Sequence, residues 1–228
     1  MTRVIQKSNS HGSLKDIQLL VNKNVQMINN SIKKSIKDLS KDEIIWISPL
    51  EEDDYAEYRD NEFLIKIGLD PNEIKLENFW PTRGPQWDAL AKTNNGKIII
   101  VEAKANIPEL VSPATGAKKK SKCLIDYSLN ETKHYLNITN DIDWSGKFFQ
   151  YTNRLAHLYF LREKCNKEAY LINIYFVGDQ TVSGPKSKLE WDGALKLMKV
   201  YLGVSRHKLK KYMADIFINI NDMKTSND

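Results

Sequence analysis

Between Ser13 and Leu39, apolar residues recur at Leu14, Ile17, Val21, Val25, Ile28, Ile32, Ile36 and Leu39. Steps of three and four place them on one stripe, so the pattern predicts a long amphipathic helix over residues 13–40. Ser13 with Asp16 supplies an N-terminal cap. The opposite face is rich in Asn and Lys, so the stripe packs on the rest of the chain or on a second subunit, giving a homodimer through this helix. The dozen residues before it are polar and read as disordered. After it, "EIIWISPL" (43–50) reads as a short buried strand ending at Pro49. The acidic opening of "EEDDYAEYRDNEFLIKIGL" suits a helix N-terminus, with Gly68 and Pro71 as its stop.

Prolines mark the loop "FWPTRGP" (79–85), and Pro108, Pro113 and Gly116 mark another, which carries a lysine cluster. Helical spacing resumes over residues 144–164, "AYLINIYFVGD" (169–179) reads as a buried strand, and "WDGALKLMKVYLG" as a helix ended by Gly203. "DIFINI" (215–220) is a last strand. No repeat or linker divides the chain beyond the N-terminal helix, so residues 41–228 read as one mixed α/β domain.

Within it, "QWDALAKTNNGKIIIVEAKAN" (86–106) has two apolar segments around an Asn-Asn-Gly turn, yet Asp88, Glu102 and Lys104 interrupt them. A three-residue loop with Gly96 left-handed is a common hairpin connection. It opposes Thr93 to Lys97, and counting back opposes Asp88 to Glu102 and Gln86 to Lys104. Alternation puts Glu102 and Lys104 on one face and Ile99, Val101 and Ala103 on the other. A two-residue loop would shift this register. With the longer loop, all three charges share one patch.

Charge and composition narrow the setting. The net charge of +5 permits a nucleic-acid partner without demanding one. Basic residues clump at Lys118, Lys119, Lys120 and Lys122, and again at Arg206, Lys208, Lys210 and Lys211. No apolar run approaches a membrane span, the N-terminus lacks a hydrophobic signal core, and Cys123 and Cys165 lack disulfide-dense spacing. A cytoplasmic protein with reduced thiols and no membrane partner is expected.

Opposed carboxylates repel, and burial raises the cost. Lys104 relieves part of it. A hard divalent cation, Mg²⁺ or Mn²⁺, relieves more, with Asp88, Glu102 and the Ala103 carbonyl as ligands. No Cys or His cluster has zinc spacing. Such an ion beside a lysine suits phosphodiester hydrolysis, with Lys104 orienting water or stabilising charge on the phosphate.

Asp, a spacer, then Glu-x-Lys on the second strand of a hairpin resembles the PD-(D/E)xK nuclease superfamily. "AEYRD", "WPTRGPQWDAL", "VEAKANIPE" and "NRLAHLYFLRE" are similar to a group of uncharacterised bacterial members of it, over residues 50–179. Trp87 stands where many members have Pro. The resemblance implies a restriction-endonuclease-like α/β core, ordered αβββαβ, with helices flanking a mixed sheet. It also implies a Mg²⁺-dependent nuclease acting on DNA. A further acid from the first helix, Glu57 or Glu62, is implied, with Glu57 favoured by "AEYRD". Gln150 would position water and Arg154 would hold a phosphate, both on the face they share with His157. His157 itself reads as structural. The lysines at 118–120 and 122 lie on the loop where substrate would approach. Trp80, Trp87, Trp144 and Trp191 are assigned mainly to core packing. A catalytically silent module of the same fold, binding nucleic acid or protein, is the alternative.

Overall fold

The structure, a computed structural model, describes residues 2–6 and 10–223. Residues 1 and 7–9 of the expected disordered arm, and 224–228 of the expected domain, lie outside these. Two central strands, β5 (Ile98–Lys104) and β6 (Ala169–Val177), are buried at every position. Continuous apolar runs such as "IIIV" belong in strands covered on both faces. β2 (Ile44–Ser48) and β4 (Ala89–Thr93) extend the sheet on one side and β7 (Met213–Asn219) on the other, in the order β2-β4-β5-β6-β7. The β2–β4 and β4–β5 pairs are antiparallel, whereas β5–β6 and β6–β7 are parallel.

The expected N-terminal helix is two helices, α1 (Ser13–Lys23) and α2 (Val25–Ser35), broken at Asn24. Asn24 turns its side-chain amide onto the Leu19 carbonyl (3.1 Å), the local bonding by which Asn competes with helix. The apolar stripe spans the break: Ile17, Val21, Ile28, Ile32, Ile36 and Leu39 are buried against Ala89, Ile99, Val101 and Ile172 of the sheet. This stripe is therefore spent inside the chain's own core, one of the two placements expected of it, and is not free to serve as the dimer surface that was the other. The opposite sheet face packs under α4 (Lys119–Tyr135), α5 (Phe149–Tyr159) and α6 (Lys188–Leu202), through Leu129, Leu155, Leu158, Trp191 and Leu195.

Four local expectations are corrected. The described part of the N-terminal arm is not disordered: β1 (Arg3–Val4) pairs with β3 (Glu57–Tyr58), and Arg3 holds Asp53 at 2.7 Å. The acidic segment after Pro49 is not one helix. Left-handed residues at Asp54, Tyr55 and Asp60 divide it into a turn, β3 and α3 (Asp60–Lys66). The lysine cluster opens α4, a helix the sequence reading missed, because its buried positions (Ile125, Ser128, Leu129, Thr132) include two polar ones. Residues 144–148 are not helical, and α5 begins at Phe149 and runs into a π-helical turn at Phe160–Lys164. Among the described residues no helix is long and apolar enough to cross a membrane.

Candidate active site

The hairpin register follows from its turn. Gly96 is left-handed (φ 78°), the Thr93 amide donates to the Lys97 carbonyl (2.9 Å), and Leu90 pairs with Ile100 and Ala89 with Val101. Continuing one residue, Asp88 meets β5 where the expectation placed it. Its Oδ2 accepts the Ala103 amide at 2.7 Å. Even-numbered residues of β5 face α4 and α5, so Glu102 and Lys104 lie on that side, both buried.

A long-range bridge brings in a third acid. Trp87 pairs with Tyr58, which sets β3 beside the start of β4. Glu57, one residue before Tyr58, is thereby buried at the site, where its Oε2 accepts from the amides of Gln6 (2.9 Å) and Gln86. It comes from a strand, not from the helix expected to carry it. Glu62 lies on α3.

Arg154 is where the sequence reading placed it, on the inward face of α5, but its task differs. Nε donates to Glu102, Nη1 to Asn153 Oδ1 (2.9 Å) and Nη2 to the Gln86 carbonyl (2.8 Å), while its guanidinium lies 4.9 Å from the Trp87 ring. Only 4 % exposed, it is committed to the interior and is not a free phosphate clamp. Glu102 thus has Arg154 on one oxygen and Lys104 on the other.

These contacts set the protonation. Burial pushes Glu102 up, but Arg154 and Lys104 together pull it below its ordinary value. Burial would strip Lys104 of its proton, and the charges of Glu102 and Asp88 overcome this and raise it. Asp88 behaves oppositely: desolvation and then the Glu102 charge lift it well above the usual carboxylate range. Glu57 is also raised, by burial first, against hydrogen bonds from Gln86 and Gln6 that favour its charged form. Among the described residues, no Lys or Arg forms an ion pair with Asp88. The patch therefore holds one settled acid, Glu102, and one left wanting a counter-charge, Asp88.

A cleft of about 760 Å³ opens over Glu57, Asp88 and Arg154, and a second of about 530 Å³ over Asp88, Ala103 and Lys104. Gln150 lines both, its backbone N–H donating to Ser112 Oγ at 2.9 Å. Lys118 lines the first. Lys119 and Lys120 are exposed at the start of α4. Lys122 turns away, pairing with Asp126 (2.7 Å) and Ser145 (3.1 Å) beside a separate polar cavity. His157 is structural: Nδ1 donates to the Asn153 carbonyl (2.8 Å), Trp80 and Trp87 surround the ring, and burial pulls it down to about 3.

Gln6, Gln86 and Asn153 are site residues the sequence reading did not assign. Only Gln86 left a signal, through its pairing position opposite Lys104. Among the described residues no group of three or more His, Cys, Asp or Glu side chains is arranged to hold a metal ion. Set against protein-family models, curated proteins and solved structures, the chain matches none.

Proposed function

We propose that the protein is a metal-dependent nuclease, hydrolysing phosphodiester bonds in nucleic acid, with DNA as the expected form by resemblance. The order α2, β2, β4, β5, α5, β6 reads αβββαβ, with β3 and α3 inserted ahead of β4 and α4 inserted between β5 and α5, and supports a restriction-endonuclease-like core. One observation carries the reading: Asp88 accepts the Ala103 backbone N–H, Asp88 and Lys104 line one cleft, and the buried Glu102 holds Lys104 there.

The residues fit Mg²⁺ or Mn²⁺ by donor chemistry. Asp88 is desolvated without a cation, and its second oxygen accepts no hydrogen bond among the described residues. A residue's N–H and C=O leave an extended strand on the same side, so the Ala103 carbonyl faces Asp88 as its amide does. Asp88, Glu102 and that carbonyl would hold the ion, and water would complete its shell. Bound there, the ion lowers the pKa of water and takes up charge on phosphoryl oxygens.

The protein's own groups supply the rest. Lys104, kept protonated by Glu102 and Asp88, donates to the attacking water or to a phosphoryl oxygen. Arg154 fixes Glu102 so that the Lys104 contact has one geometry. Glu57, with raised proton affinity and two amides orienting it, is suited to take a proton from water. Gln150 and Lys118 face the cleft where water and phosphate would lie.

The test is incubation of plasmid, single-stranded DNA and RNA with Mg²⁺, Mn²⁺ or EDTA, using wild type and Lys104→Ala. Metal-dependent cutting, reduced ~100- to 1,000-fold in the variant, is expected. No cutting under any condition, or cutting that Lys104→Ala leaves intact, overturns the reading. A silent binding module is the second reading, favoured by the pairing of each Glu102 oxygen with a cation, Lys104 on one and Arg154 on the other. It predicts binding without turnover in every condition.

A further inference from the structure

The two clefts are not independent. Asp88, Thr115, Gly116, Phe149 and Gln150 line both, so Asp88 sits where two compartments meet. The segment lining both is tethered: Ser112 Oγ accepts the Gln150 backbone N–H (2.9 Å), and the Thr115 backbone N–H donates to the Ser145 carbonyl (2.9 Å). At about 760 and 530 Å³, each compartment belongs to the size class that takes one small ligand, about a nucleotide. A phosphate at Asp88 would leave room for one nucleotide in each compartment.

The lining agrees. Phe149, partly exposed, lies nearly parallel to Trp80 (6.2 Å between centroids, 18° between planes). Trp80 is in turn backed by His157 and Phe79, which makes a rigid aromatic wall ending in the cleft. Among the described residues the basic side chains lining the two compartments are Arg83, Lys118, Lys104 and Arg154, the last already bound to Glu102. A duplex binder relies on many exposed phosphate contacts, whereas a single-strand site combines few charges with an aromatic platform. Resting on the nuclease reading above, we infer that the substrate is a single strand or an unpaired end, with a base stacked on Phe149.

Binding and cutting are measured separately. A fluorescent ~12-nucleotide single strand and its blunt duplex are titrated with full-length protein in EDTA at ~100 mM salt, using wild type, Phe149→Ala and Phe149→Tyr. Thermal melts confirm that each variant is folded. The single strand binds ~10-fold or more tightly than the duplex, Phe149→Ala weakens it ~5- to 100-fold, and Phe149→Tyr restores it. Equal or tighter duplex binding, binding of neither form, or a folded Phe149→Ala that binds like wild type overturns the assignment. Preferential cutting of duplex in Mn²⁺ overturns it too, and leaves the nuclease reading standing. Tight single-strand binding with no cutting in any metal supports the strand assignment and overturns the nuclease.

Discussion

Arg154→Met removes a guanidinium and keeps an unbranched chain of similar reach. The loss falls on Glu102, which retains only Lys104, and on Asn153 Oδ1 and the Gln86 carbonyl, which lose donors at 2.9 and 2.8 Å. Removing one partner of a buried ion pair costs about 3–5 kcal/mol, because the other charge stays buried. Two further hydrogen bonds from a charged donor are worth ~1.5–3 kcal/mol each, but they share the same desolvation and do not add in full. The expected cost is about 4 kcal/mol, a large part of the ~5–15 kcal/mol that holds a domain together. Urea unfolding followed by tryptophan fluorescence measures it, with an unchanged m-value showing that the same surface is exposed. Combining Arg154→Met with Glu102→Gln removes the orphaned charge, so the double variant is more stable than the sum of the singles by ~0.5–3 kcal/mol. A cost for Arg154→Met below about 1 kcal/mol, the range of an exposed ion pair, refutes the internal role and returns Arg154 to the cleft as a phosphate ligand.

Other substitutions test other links. Ile17→Ala, at a fully buried position of the α1 stripe, costs about 2–5 kcal/mol in the same unfolding assay and leaves sedimentation unchanged; a shift in oligomeric state with unchanged stability contradicts the packing described. Asp16 carries a pH prediction. Burial, and then the neighbouring Asp179, raise it from 3.8 to about 7, so the folded chain binds more protons than the unfolded one between those values. Stability therefore falls as pH rises through that window and stays reduced above it. Asp16→Asn, which mimics the protonated form, is level with wild type below about pH 4 and more stable at pH 8 by on the order of 4 kcal/mol. Parallel urea curves at the two pH values, showing no difference in the gain, reject this account.

What was legible in the sequence was what local chemistry decides. The Asn94-Asn95-Gly96 turn admits Gly96 at φ 78°, and that alone fixed which residues of β4 and β5 oppose each other. The α1–α2 stripe was legible as a buried face, but its break at Asn24 was not, and the pattern left open whether it packs on the chain or on a second subunit. Glu57 was misplaced because Asp54, Tyr55 and Asp60 adopt left-handed conformations that an acidic run does not announce. Its arrival at the site depends on a Tyr58–Trp87 contact across a long loop. Arg154 was assigned to the right face of α5, but whether a cation on that face meets phosphate or carboxylate depends on the depth of Glu102, which only tertiary packing sets.

The same hairpin carries charge at both ends, and the contrast between them locates the chemistry. At the turn end Asp42 faces Lys97 (3.0 Å) and accepts from the Asn95 amide (2.8 Å). Although desolvation opposes it, these partners hold Asp42 below its ordinary value. That acid is settled, and its role is complete once the turn is closed. At the far end Glu102 is settled in the same way by two cations, yet Asp88 beside it is driven upward. Asp88 has a structural task, accepting the buried Ala103 N–H, but one such bond does not offset its burial as the partners of Asp42 and Glu102 do theirs. On the nuclease proposal, an acid with so little compensation at the meeting of two clefts is where a cation would be held.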